Sequence, residues 1–137
     1  MITTLVCEEP ISASAYGAVV ASTAFGAVLT FSGDVRNIDQ GKEVISLRYE
    51  IHPSAPEVLL TIVTEVVAKY ELGNVAVAHR YGAIEIGESA FVVAVSAVHR
   101  GPAFLACSEL VDAVKAGLPI WKYQVFADGS DQWVNCA

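Results

Sequence analysis

Lys115 and Lys122 stand seven residues apart, with Gly117 and Pro119 between them, two residues that end a helix and turn the chain. Two ammonium groups separated by a reversal can converge on one anion. Upstream, His99-Arg100 closes an apolar run and is followed by Gly101-Pro102, where a helix should begin. A guanidinium fork, an imidazole and free backbone N–H groups at such a place meet an anion together. Arg36 lies just past another candidate strand end, a position where functional side chains often sit.

Each of these residues also has a plainer role open to it. Lys115 in the last turn of a helix complements the negative end of the dipole as a solvated cap. Strand alternation puts Lys122 on the face opposite Trp121 and Tyr123, which could be a polar outer face. A histidine at a strand end is often a hydrogen-bonded structural group. His79-Arg80 repeats the dipeptide in an earlier strand without a helix start beside it, and is read as structural. The three cysteines, Cys7, Cys107 and Cys136, are odd in number and lack C-x-x-C spacing, so neither a disulfide framework nor a metal site is expected. Cys107 has an apolar context and no adjacent cation to activate it, which makes it a small hydrophobe by default.

The elements that must position these groups follow from periodicity and turn chemistry. Residues 2–6 fit a short edge strand, and 11–22 an Ala-rich helix with Ser12 or Ser14 near its start. A buried strand is expected at 25–31, then a polar segment through Asn37, a loop over 37–42 and a strand at 44–51. Ser54, Pro56 and Glu57 mark a helix start with a capping-box partner, and Val58, Leu59, Ile62, Val66 and Val67 recur on one helical face. Gly73-Asn74 is expected to close that helix. Strands at 75–81, 83–86 and 91–98 read as a meander with turns at Gly82 and Gly87. The helix begun near Pro102 carries Phe104, Leu105, Val111 and Val114 among its apolar positions and is expected to end with Gly117 as its C′ residue. Residues 120–126 and 132–135 form a terminal hairpin around Asp128-Gly129. The sum is a single α+β domain over residues 1–137.

Composition bounds what such a domain can do. With 54% apolar and 17% charged residues, the chain is neither disordered nor a nucleic-acid coat, and a formal charge of -7 repels phosphate backbone. No run approaches the roughly 18 apolar residues of a membrane span. The N-terminus has no basic region and reaches Glu8-Glu9 early, so no signal peptide is read there and a cytoplasmic location is expected. The Ala- and Val-rich aliphatic content points to oligomerisation. Three of the eight cations, Arg100, Lys115 and Lys122, fall within residues 99–122. In an acidic chain, that concentration marks a local anion pocket.

Taken together, HRGPAF at 99–104, D-x-x-K at Asp112 to Lys115 and PIWK at 119–122 resemble the signature of the large, catalytic subunit of molybdopterin synthase. Thr30 to Asn37, Leu47-Arg-Tyr-Glu50, His79-Arg-Tyr-Gly82, Gly87-Glu88, Asp128-Gly129 and Trp133-Val134 agree with it. The resemblance implies an α/β hammerhead-type fold with mostly antiparallel strands and a homodimer at the centre of a heterotetramer. It implies a small ubiquitin-like partner whose C-terminal Gly-Gly thiocarboxylate delivers sulfur, twice, to cyclic pyranopterin monophosphate to build the dithiolene of molybdopterin. Lys115 and Lys122 match the family's active-site lysines, and Arg36, His99 and Arg100 its substrate-anion pocket. A lysine crowded by other cations gives up its proton more readily, so Lys115 takes the role of general acid/base or nucleophile and Lys122 holds the tail or the developing charge. No cofactor is implied, molybdenum being inserted in a later step. The chain departs from the family at Tyr123-Gln124, where a second basic residue and a Glu are common, and it lacks a Met often found near His52 to Pro56. Two other readings stay open: a docking module that binds the carrier without chemistry, and a sulfurtransferase that carries a persulfide on Cys107.

Overall fold

The computed structural model describes residues 1–135, in the order β1 (Ile2–Cys7), α1 (Ala13–Val20), β2 (Ala27–Asp34), β3 (Ile38–Asp39), β4 (Lys42–Ile51), α2 (Ala55–Val67), β5 (Val75–Arg80), β6 (Gly82–Ile84), β7 (Ser89–Ala97), α3 (Arg100–Gly117), β8 (Ile120–Phe126) and β9 (Asp131–Val134). Four strands form one sheet in the order β1-β5-β7-β2, with β1 parallel to β5 and the other pairs antiparallel. A second, antiparallel sheet runs β3-β4-β8-β9, with β6 added on β4. The architecture is mixed α+β, mostly antiparallel, and closes on a hairpin, as expected. Gly129 supplies the positive φ of 86° in that hairpin's turn.

The first sheet sorts its residues by size. Strand alternation sends Val75 and Val77 of β5, with Val93 and Val95 of β7, to one face, where Leu59 and Val63 of α2 and Leu110 and Val114 of α3 cover them. Ala76 and Ala94 face the other way, under Val20 and Tyr16 of α1. Small residues let α1 lie close, and the bulk goes where two helices meet the sheet. Leu59, Leu110 and Ile120 are wholly buried in the main core, each contributing roughly 1.5–3 kcal/mol through apolar burial.

Several expectations change. Residues 37–42 are a tight β3–β4 hairpin, not a loop, with Gln40 and Gly41 both at positive φ. Helix α2 ends at Val67, so Gly73 does not cap it; Gly73 lies under the Phe25 ring, which leaves no room for a Cβ. Ser54 makes no side-chain cap bond and instead shares a 2.8 Å hydrogen bond with His52 Nδ1. The strands from β5 to β7 are no simple meander, because β6 leaves the first sheet to pair with β4. In α3, Phe104 and Leu105 are exposed, and Ala103, Ala106, Cys107, Leu110 and Val114 form the buried stripe. Gly117 ends α3 without a left-handed conformation. Its small size instead admits Ile62, whose Cδ1 would sit 3.0 Å from an added Cβ.

Candidate active site

Strand β8 starts immediately after Pro119 and alternates from its first residue. Ile120, Gln124 and Phe126 are buried, so Lys122, on their face, points inward. The polar-outer-face role therefore falls away for Lys122. Trp121 and Tyr123 take the opposite face, where Tyr123 packs on Trp133 at 4.8 Å beneath the Arg48 guanidinium. Lys122 is in register with Tyr49 of β4, and Gln124 with Leu47. All four line a cavity of about 220 Å³, closed from other sides by Lys115, His79 and the Gly33–Arg36 segment.

Each wall has a local cause. Lys115 follows buried Val114 in the last turn of α3 and lines the cavity from the end of that helix. The backbone of Val35 exchanges hydrogen bonds with Glu88 and Gly87 at 2.9 and 2.8 Å, pinning the segment that carries Arg36. Arg36 Nη2 lies 3.3 Å from Asp39 Oδ1, and Gln124 donates from Nε2 to Asp39 Oδ2. His79 is on the Val75/Val77 face of β5 and so reaches the same cavity.

The cavity's charges are unevenly matched. Asp39 is engaged by Arg36 and Gln124, while Asp34 accepts from the Ser32 and Ser89 hydroxyls at 2.6 and 2.7 Å, which hold its carboxyl below the usual range. Lys115 and Lys122 take part in none of the ion pairs among the described residues. Two ammoniums free of ion pairs in a partly enclosed cavity are an arrangement that can receive an anion. No group of three His, Cys, Asp or Glu side chains among the described residues could hold a metal ion.

His99 and Arg100 are elsewhere. They occupy the N-cap and first position of α3, bordering a shallow depression with Gly26, Val28 and Val98. Fifteen residues of unbroken helix separate Arg100 from Lys115, roughly 22 Å. Within one chain, Arg36, Lys115 and Lys122 line one cavity, and the straight helix keeps His99 and Arg100 away from it. Cys107 lies in the core, with burial pushing its thiol pKa up, and borders a separate groove near Leu29 and Phe104. Cys136 falls outside the described residues. No described helix is long and apolar enough to cross a membrane.

Asp39, Tyr49, His79 and Gln124 are cavity residues that the sequence reading missed as site residues. Register would have exposed Tyr49 and Gln124 once β4 and β8 were paired around Lys122. His79 is buried, stacked on Phe91 and set edge-on to Tyr49, and burial brings its pKa down to about 4, with the Lys115 charge adding to the effect against a backbone bond that opposes it.

The MoaE protein family model matches residues 6–117. The molybdopterin synthase catalytic subunit of Arabidopsis thaliana is 43% identical over 105 residues, 76% of this chain and 53% of the plant protein. The chain thus spans about half the length of that curated relative. A crystal structure of molybdopterin synthase from Staphylococcus aureus superposes with a TM-score of 0.86 at 30% identity, covering 95% of both chains. A complex of subunits 1 and 2 of molybdopterin-converting factor from Helicobacter pylori shares the fold, with a TM-score of 0.71 at 21% identity over 98% of this chain and 88% of that one. With a family match across most of its length and a fold shared from end to end, the chain belongs to the MoaE protein family.

Proposed function

We propose that this chain is the catalytic subunit of a molybdopterin synthase, moving sulfur from the thiocarboxylated Gly-Gly tail of a small ubiquitin-like subunit onto cyclic pyranopterin monophosphate. The convergence of Lys115, Lys122 and Arg36 on one cavity, in a chain of formal charge -7, carries this reading. Both reactants are anions, and Lys115 and Lys122 line the cavity without an ion pair among the described residues. Lys115 serves as general acid/base or nucleophile, and Lys122 neutralises the tail or the charge that develops as the acyl carbon gives up its sulfur. Arg36, exposed at the rim, meets the substrate's phosphate. Two rounds supply the two sulfurs of the dithiolene.

His99 and Arg100 fit this scheme in a homodimer. Since α3 holds them roughly 22 Å from their own Lys115, they bind substrate only in the cavity of a second copy. Val28, Val98, Phe104 and Leu105, all exposed beside them, give that end of the molecule the apolar character of a subunit contact. The 137 residues act as one domain in the cytoplasm, within a heterotetramer of two large and two small subunits.

Incubating the purified chain with thiocarboxylated small subunit and cyclic pyranopterin monophosphate should yield the dithiolene product. A chain that binds the small subunit and forms no product is a docking module instead. For the persulfide route, Cys107→Ser should leave turnover unchanged, because the buried thiol lies outside the lysine cavity and burial disfavours its thiolate. A loss of turnover with the fold intact would revive that route.

A further inference from the structure

His79 has a ring nitrogen with nothing to bond. Its Nδ1 lies 2.7 Å from the Arg80 carbonyl oxygen, an acceptor only, so Nδ1 carries the proton and donates. Nε2 is then a bare lone pair. It is the only buried side-chain nitrogen or oxygen among the described residues without a hydrogen-bond partner. The ring itself is wholly buried, clamped between Phe91 at 5.4 Å and Tyr49 at 4.9 Å. If packing alone were served there, an apolar ring would do better, since an unsatisfied buried acceptor destabilises the fold. The same ring lines the cavity that holds Lys115, whose ammonium forms no ion pair among the described residues and whose charge already acts on the imidazole.

We propose that His79 is the positioning residue for Lys115, its Nε2 lone pair accepting a hydrogen bond from Lys115 Nζ. A turn of the flexible lysine stem closes that bond, and an ammonium has three donors to distribute. One fixed on His79 leaves two directed at the anion. The low pKa of His79 keeps the ring neutral at physiological pH, so it stays an acceptor and adds no competing positive charge. The role rests on the assignment of Lys115 as a catalytic residue, but the bond itself can be observed without turnover.

The test is nitrogen NMR of the purified chain labelled with 15N-histidine. The expected spectrum shows the Nδ1–H tautomer of His79, with the Nε2 resonance displaced in the direction of an accepted hydrogen bond, and Lys115→Met returns it to the free position. An Nε2 resonance that ignores Lys115→Met overturns the proposal, and a bridging water is then its partner. In the sulfur-transfer assay, His79→Phe keeps the ring stack and should lower kcat by about tenfold to a hundredfold with the KM for the pyranopterin unchanged, as misplacement of a catalytic group does. His79→Gln, which can return an acceptor near the Nε2 position, should restore most of that loss. A fully active His79→Phe contradicts the proposal. Should His79→Phe fail to fold, the spectrum decides alone.

Discussion

Lys115→Ala is expected to lower the rate of dithiolene formation by about 10³-fold, roughly 4 kcal/mol of transition-state stabilisation, the range of a lost general acid/base or nucleophile. The loss should fall on kcat, because Lys122 and Arg36 still present positive charge to both anions. Lys115→Arg should rescue little. A guanidinium keeps the charge but does not give up its proton, so it can act neither as base nor as nucleophile. A Lys115→Arg enzyme with near-normal kcat would reduce Lys115 to a counter-charge. The thermal stability of both variants should fall by no more than the loss of one hydrogen bond to His79 brings, since Lys115 forms no ion pair among the described residues and closes no core gap.

The second large effect concerns stability in acid. His79 is neutral in the folded protein down to a pKa of about 4, against 6.5 for the exposed imidazole of an unfolded chain. Above pH 6.5 both states are neutral and the group contributes nothing to pH dependence. Between pH 6.5 and 4 the unfolded chain takes a proton that the native one refuses, so stability falls as pH falls. Over the full window the loss is about 3 kcal/mol, a large part of the total for a domain of this size. Below pH 4 both states are protonated and the decline from this group ends. The carboxylates of Asp34, Glu109 and Asp128, held below their ordinary range by hydrogen bonds, withdraw their own stabilisation mostly at the acid end of that window and beyond. Subtracting the curve of His79→Gln from that of the parent isolates the imidazole. Urea unfolding at pH 7 and at pH 4.5 should show the parent losing about 2 to 3 kcal/mol more than the variant. Equal losses would mean that His79 accepts a proton in place.

Much of the scaffold was legible from residue order. The hairpin at Asp128-Gly129, the Ser12 cap of α1, which accepts from Ala15 N–H at 3.2 Å, and the placement of Arg36 just past a strand all follow from local rules. What local rules could not give is pairing. Nothing within 79–84 says that β6 abandons its neighbours for β4, or that the face shared by Ile120, Lys122 and Gln124 turns inward. His79 was set aside as structural because the sequence offers no helix start beside it, and its neighbour Arg80 does play that part, donating to the Glu8 carbonyl and pairing with Glu88. Only the register of β5 against β7, with α3 laid over that face, puts the imidazole and Lys115 on the same cavity. Of the pair Tyr123-Gln124, the tyrosine turns away from the cavity while Gln124 enters it and donates to Asp39.

A single-turnover reaction with the chain in excess over a thiocarboxylated small subunit as sulfur carrier, followed by mass spectrometry of both carrier and pterin, tests the proposed sulfur transfer at the Lys115–Lys122 cavity directly. The carrier's tail should exchange its sulfur for oxygen in step with the appearance of sulfur on the pterin, and both changes should stop together in Lys115→Ala. A carrier that keeps its sulfur in the presence of the parent chain, or a Lys115→Ala chain that empties it at the parent's rate into the pterin, would contradict that assignment.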